Sequence, residues 1–285
     1  METKFKPYEF LVLNIPHASD NIPEEFMPKN PPFRAKAAYR DYQKNSRPLI
    51  DWYTDELFSV DNDQRITPVV ATICRTLCDV ERIINDPLEA KGYGIVCTKM
   101  HHYTAFSITS SVMDFIPYRL PLYQYYLDYH YRLAKAILTN SHNHPNSVLL
   151  IDCHSFSSMP TALCNPGPQE QQVDICLGYN DDATCPPQEL IDFVASYFED
   201  LGYRVGRNTP FSHSKTVECP MPYHSLMIEV NKRCYMNEQT LEKTEGFQKL
   251  KHAIQSLYTK FFEDIQPENT PKKTRKMVFE FKSKL

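Results

Sequence analysis

Glycine is scarce in this 285-residue chain, at seven residues. Neither G-x-x-x-x-G-K nor G-x-G-x-x-G occurs, so nothing supports nucleotide binding through a glycine-rich phosphate loop. No G-x-S-x-G surrounds Ser155, which leaves a serine-nucleophile elbow without support. Long hydrophobic runs are missing too. No window approaches the ~18 apolar residues of a membrane span, so no membrane partner is expected. The opening "METKFKPYEF" lacks the apolar stretch of about 7–15 residues that a secretory leader carries. Charge of one sign is also lacking. Thirty-one basic against 35 acidic residues leave a formal charge of -4, too mild for a nucleic-acid or anionic-membrane partner. Nine cysteines are present, but "CRTLC" is followed by no second pair at zinc-finger spacing. Cys74 and Cys78 are expected as small buried hydrophobes. An odd thiol count without a leader points to reduced cysteines in the cytoplasm.

Proline, at 22 residues, is plentiful, and the connections should be stiff. Apolar runs alternate with helical patterns along the whole chain. Residues 10–15, 67–74, 94–99, 147–152, 173–179 and 224–230 read as strands. Residues 48–59, 122–138, 186–202 and 240–264 read as helices, their apolar residues recurring at three and four. The alternation predicts one α/β domain, a largely parallel sheet with helices on both faces. The basic stretch over about 266–285 reads as a solvated tail. The histidines of "MHHYT" (His101 and His102) and of "SHNH" (His142 and His144) read as loop and helix-end residues. In such sheets ligands bind beyond the carboxyl ends of the strands, so the ends of the apolar runs are where chemistry is sought.

Three of those ends carry reactive side chains. In "NIPHASDNIP", His17 follows the first strand and Asp20 comes three residues later. Within one helical turn the two would share a face and could reach one Zn2+ at about 2.0–2.2 Å; alternatively, Asp20 braces a turn. In "LLIDCHSF", Asp152 and His154 lie at i and i+2, on one side of a strand. Such a carboxylate can fix the tautomer of a neighbouring metal-binding imidazole, or bond backbone amides at a loop start. In "LMIEVNKR", Glu229 sits inside an apolar strand. It would serve as a proton carrier beside a metal site, or form a structural pair with Lys232 or Arg233. Together, His17, Asp20 and His154 make three metal ligands with an open position, the make-up of a catalytic zinc site. Glu229 would then handle the proton. A fourth segment, "CRTLCDVERIINDP", clusters Arg75, Asp79, Glu81 and Arg82. It is either an ion-pair cluster or a carboxylate-binding arginine site.

The order of "IPHASDNIP", "DWYTDELF", "CDVERIINDP", "YHYRLAKAI", "LLIDCHSF", "DICLGY", "PFSHS" and "MIEVNKRCYM" resembles that of the N-formylglutamate amidohydrolase family, over roughly residues 10–260. That family is similar to the zinc carboxypeptidases and the aspartoacylase group. The resemblance implies their mixed-sheet α/β fold and one Zn2+ per chain. It sets His17 and Asp20 at a His-x-x-Glu pair, with Asp in place of Glu. His154 matches the later metal ligand and Glu229 the general base. Arg82 matches the arginine that holds a substrate carboxylate, although Glu81 stands where the related motif has Asn; Arg75 is a second candidate for that role. The implied reaction is hydrolysis of a small acidic N-acyl amino acid, N-formyl-L-glutamate to formate and glutamate. Amidase or peptidase chemistry on another substrate, or a metal-free binding protein on the same fold, are the alternatives. Oligomeric state is not legible.

Overall fold

The computed structural model describes residues 7–26, 46–97, 112–141, 145–161, 167 and 172–263. Six strands form one mixed sheet. They are β1 (Phe10–Ile15), β2 (Ile66–Val70), β3 (Val148–Phe156), β4 (Ile175–Gly178), β5 (Val205–Arg207) and β6 (His224–Asn231). The spatial order is β2-β1-β3-β6-β4-β5. All pairings are parallel except β4 with β6. Nine consecutive residues of β3 are buried, as expected of a central strand covered on both faces.

Alternation along the strands divides the core in two. Leu11, Leu13, Leu149, Ile151, Leu226 and Ile228 face one layer. That layer contains three helices, α1 (Thr54–Phe58), α3 (Gln188–Asp200) and α4 (Glu245–Phe261). Val12, Val148 and Leu150 face the other, where Leu122, Tyr129, Leu133 and Ile137 of α2 (Val112–Asn140) cover them. The result is the expected three-layer α/β fold. α3 shows why the local sequence is helical. Pro187 stands at its N-cap and Gly202, at φ 91°, follows its end. Its buried residues Leu190, Ile191, Val194, Ala195 and Phe198 form one stripe. No helix among the described residues is long and apolar enough to cross a membrane.

The differences from the sequence reading are local. The helix predicted over 48–59 is broken into a 3-10 turn, Arg47–Leu49, and the short α1. Between them the chain bends, and Tyr53 takes a left-handed φ of 65°. β3 runs four residues further than predicted, so Asp152 and His154 lie within the strand. β5 is a three-residue edge strand with no apolar pattern. The strand predicted at 94–99 is reduced to a single bridge between Cys78 and Val96, and its last two residues lie outside the described residues. The basic tail, His101, His102, His142 and His144 also lie outside them.

Candidate active site

The strand alternation that builds the core also builds the site. Asn14, Asp152, His154 and Glu229 occupy alternate positions to the apolar residues that face α3 and α4. They therefore project from the opposite face, near the carboxyl ends of the strands. Register sets them side by side: Asn14 pairs with Asp152, and His154 pairs with Glu229.

His17 follows β1 and is buried. Its backbone carbonyl accepts a hydrogen bond from the amide of Asp51 at 2.9 Å, and this contact brings the bend at residue 51 onto the end of β1. Asp51 is in turn held by Thr54, whose hydroxyl donates to its carbonyl at 2.8 Å. The Asp51 carboxylate points between two imidazoles. Its Oδ2 is 3.2 Å from His154 Nδ1 and 3.6 Å from His17 Nδ1. His17, Asp51 and His154 each offer one donor atom within 4.8 Å of the others.

Each imidazole is backed by a carboxylate on its far nitrogen. His17 Nε2 is 2.8 Å from Asp79 Oδ1, and His154 Nε2 is 2.9 Å from Asp152 Oδ1. Such pairs orient metal-binding histidines. His17 Nδ1 is buried without a hydrogen-bond partner among the described residues, an arrangement that costs stability unless something binds there. Donors at about 2.0–2.2 Å around one tetrahedral ion are about 3.3–3.6 Å apart. The spacings from Asp51 to the two histidines, 3.2 and 3.6 Å, lie within about 0.1 Å of that separation. The group could therefore hold a metal ion and leave a position open toward the cavity.

The supporting carboxylates are themselves secured. Burial would raise the Asp152 carboxyl, but His154, Asn14 and the Lys215 amide outweigh it and hold it below the usual range. Asn14 Nδ2 donates to Asp152 at 2.6 Å and to Glu81 at 3.0 Å, while its carbonyl accepts from Tyr129. Burial also opposes ionisation of Asp79; Arg75, His17 and Arg82 overcome it and hold that carboxyl well below the usual range. For Asp51 burial is outweighed by the hydrogen bond from His154 and by the nearby His17 and Lys232.

Glu229 lines the cavity with His17, Asp51 and His154. Burial, reinforced by Asp51 and Asp152, raises its pKa to about 8. The structural pair that the sequence left open is not formed. Lys232 Nζ donates to the Pro48 carbonyl at 2.9 Å, and Arg233 pairs with Asp174 at 2.7 Å. The two arginines of "CRTLCDVER" differ in commitment. Arg75 donates to Asp79 through Nε and Nη2 and to the Leu49 carbonyl through Nη1. Arg82 has ion-pair contacts at 3.4 Å to Asp79 and 3.8 Å to Asp86, and its Nε makes no hydrogen bond among the described residues. Both line the cavity with Glu81.

The structure thus brings His17, His154, Asp152, Glu229, Arg75 and Arg82 together. Asp20 is exposed and stands outside the group; the carboxylate between the histidines belongs to Asp51. Sequence reasoning missed Asp51, whose signal was a lone acid between Leu49–Ile50 and Trp52. It also left Asp79 without a role.

A search among curated proteins finds no match. Among solved structures, a crystal structure of N-formylglutamate amidohydrolase from Ralstonia eutropha JMP134 is 23% identical and superposes with a TM-score of 0.67, covering 90% of this chain and 94% of that one. The gene product Atu2144 from Agrobacterium tumefaciens is 16% identical with a TM-score of 0.53, covering 90% of each chain. Both share the fold. The model of the N-formylglutamate amidohydrolase family matches residues 10–236, and with that span the chain belongs to the N-formylglutamate amidohydrolase family.

Proposed function

We propose that this protein is a zinc-dependent amidohydrolase that cleaves a small acidic N-acyl amino acid, N-formyl-L-glutamate being the founding substrate of the reading. The observation that carries it is the placement of two carboxylate-backed imidazoles and Asp51 around one point, with Glu229 on the same cavity wall. His17, Asp51 and His154 would hold the ion. Bound there, zinc supplies Lewis acidity toward the amide carbonyl and makes a water acidic near neutral pH.

The remaining work falls to the chain. Glu229, buried on the cavity wall, would accept a proton from the attacking water and return it to the leaving nitrogen. Arg82, whose donors are less committed than those of Arg75, would hold the substrate carboxylate in a two-point hydrogen bond. Asp79 and Asp152 keep the imidazoles oriented through Nε2. None of the eight described cysteines forms a disulfide, which supports a reducing, cytoplasmic setting.

The test is amine release from N-formyl-L-glutamate with and without added Zn2+, beside Glu229→Gln. Zinc-dependent release that collapses in the variant is expected. A protein that binds zinc and releases nothing from any N-acyl amino acid would overturn the reading.

A further inference from the structure

The catalytic cavity, of about 330 Å³, has a larger neighbour of about 640 Å³. Pro48 and Ser157 line both. The shared wall is built by two segments that also carry metal-site residues, for Asp51 lies three residues after Pro48 and His154 three before Ser157. Glu81 and Arg82 line only the first cavity.

The second cavity is apolar. Its described walls include Trp52, Met159, Pro160, Met236 and Leu241. Two charged groups among them, Lys232 and Glu238, are already engaged. Lys232 Nζ donates to the Pro48 carbonyl at 2.9 Å. The Glu238 carboxylate accepts from the hydroxyls of Ser157 and Ser158 and from the Ser158 amide at 3.0 Å. These bonds tie the loop after β3 to the loop after β6, so the space between them is a built feature. Arg47 and Gln239 stand exposed at its edge. A formyl group, one carbon long, would leave this space to water. Apolar surface of this extent gains by burying an apolar group.

We propose that the second cavity receives the acyl half of the amide, so that N-acyl amino acids with an apolar acyl chain longer than formyl are the better substrates. The inference rests on the amidohydrolase reading. The amino-acid carboxylate lies toward Arg82, and the acyl chain passes the wall formed by Pro48 and Ser157. The step is hydrolysis: water adds its oxygen to the carbonyl carbon, the C–N bond breaks, and the proton is delivered to the leaving nitrogen. The products are an apolar carboxylic acid and a free amino acid.

Trp52 is the chain's single tryptophan, so its emission reports on this cavity without any turnover. Two measurements are made on zinc-supplemented full-length protein, on Met159→Asp and on Gln239→Asp. Both replaced residues are exposed, and neither change should impair folding. The first measurement is amine release from N-formyl- and N-octanoyl-L-glutamate. The second is Trp52 emission during titration with octanoate. Expected are an octanoyl-to-formyl ratio of kcat/KM of about tenfold or more and a saturable blue shift with octanoate. Both substitutions should lower that ratio several-fold. Formyl preference with Trp52 emission unmoved by octanoate would overturn the acyl assignment alone. Hydrolysis of neither amide would overturn the amidase reading and the assignment with it.

Discussion

His154 and Glu229 stand directly opposite each other on the neighbouring parallel strands β3 and β6. The pairing ties the candidate metal ligand to the candidate base. A slip of one residue on either strand would turn its side chain toward the α3–α4 layer, where Cys153 and Ile228 now lie. Glu229→Gln keeps the shape and removes the proton acceptor. We expect kcat to fall by about 10²–10⁴-fold while bound zinc, measured by elemental analysis, stays at the wild-type level. Equal loss of activity and zinc would move Glu229 from the chemistry to the metal site.

Asp51 and Asp20 make opposite predictions. Asp51 is buried between His17 and His154, whereas Asp20 is exposed. Asp51→Ala should strip the ion during dialysis against a weak chelator, and Asp20→Ala should retain it. The reverse result would restore the His17–Asp20 pair read from the sequence and displace Asp51.

Asp79 supports His17 from behind, with Oδ1 at 2.8 Å from Nε2. Asp79→Asn can still accept one hydrogen bond but loses the charge that also anchors Arg75. Metal affinity, measured by chelator competition, should weaken by about 10–100-fold. Unchanged affinity would show that His17 is oriented by its backbone alone.

Much of this was legible in sequence because it depends on short periods. The apolar runs of β1, β3 and β6 gave the sheet, and the i, i+2 spacing of Asp152 and His154 gave their common face. Glu229 stood out as an acid within an apolar strand. Asp51 did not, because residues 48–59 fit a helical pattern that the bend at Tyr53 interrupts. Its partnership with His17 depends on a backbone hydrogen bond between residues 34 positions apart, which no local period reports. Asp20 is near His17 along the chain, but the chain turns it outward. β5 escaped because three edge residues carry no alternation to read.

His224, at the start of β6, gives a pH test remote from the cavity. Its Nδ1 is 2.7 Å from the Tyr8 hydroxyl, and burial lowers its pKa below the usual value. The unfolded chain, with an ordinary value of about 6.5, therefore takes up the proton first as pH falls. Stability from this group is full above about pH 6.5 and is lost as pH drops toward the lower folded value. The drop in Tm between pH 7.5 and 5.5 should be smaller in His224→Gln than in wild type. Parallel pH profiles would show that other groups carry the dependence.

Gly178, at the end of β4, controls how the cavity is closed. A Cβ there would stand 2.2 Å from the His213 carbonyl oxygen and 2.4 Å from Met227 Cε. The loop carrying His213 is otherwise pinned. The Asn208 amide donates to the Leu177 carbonyl at 2.8 Å, and the Ser214 amide donates to Asn180 at 3.0 Å. Between these anchors Phe211 and Ser212 line the catalytic cavity. Gly178→Ala must push the loop away, because Met227 can yield by a side-chain rotation whereas the His213 carbonyl can move only with its backbone. Overpacking of this kind costs about 1–3 kcal/mol, read as a lowered Tm. Displacing a cavity wall by about 1 Å can cost up to 10²-fold in rate, so kcat/KM should fall by more than the loss of folded protein explains. A variant with lowered Tm and unchanged kinetic constants would show that the 208–214 loop bounds the cavity without touching the substrate.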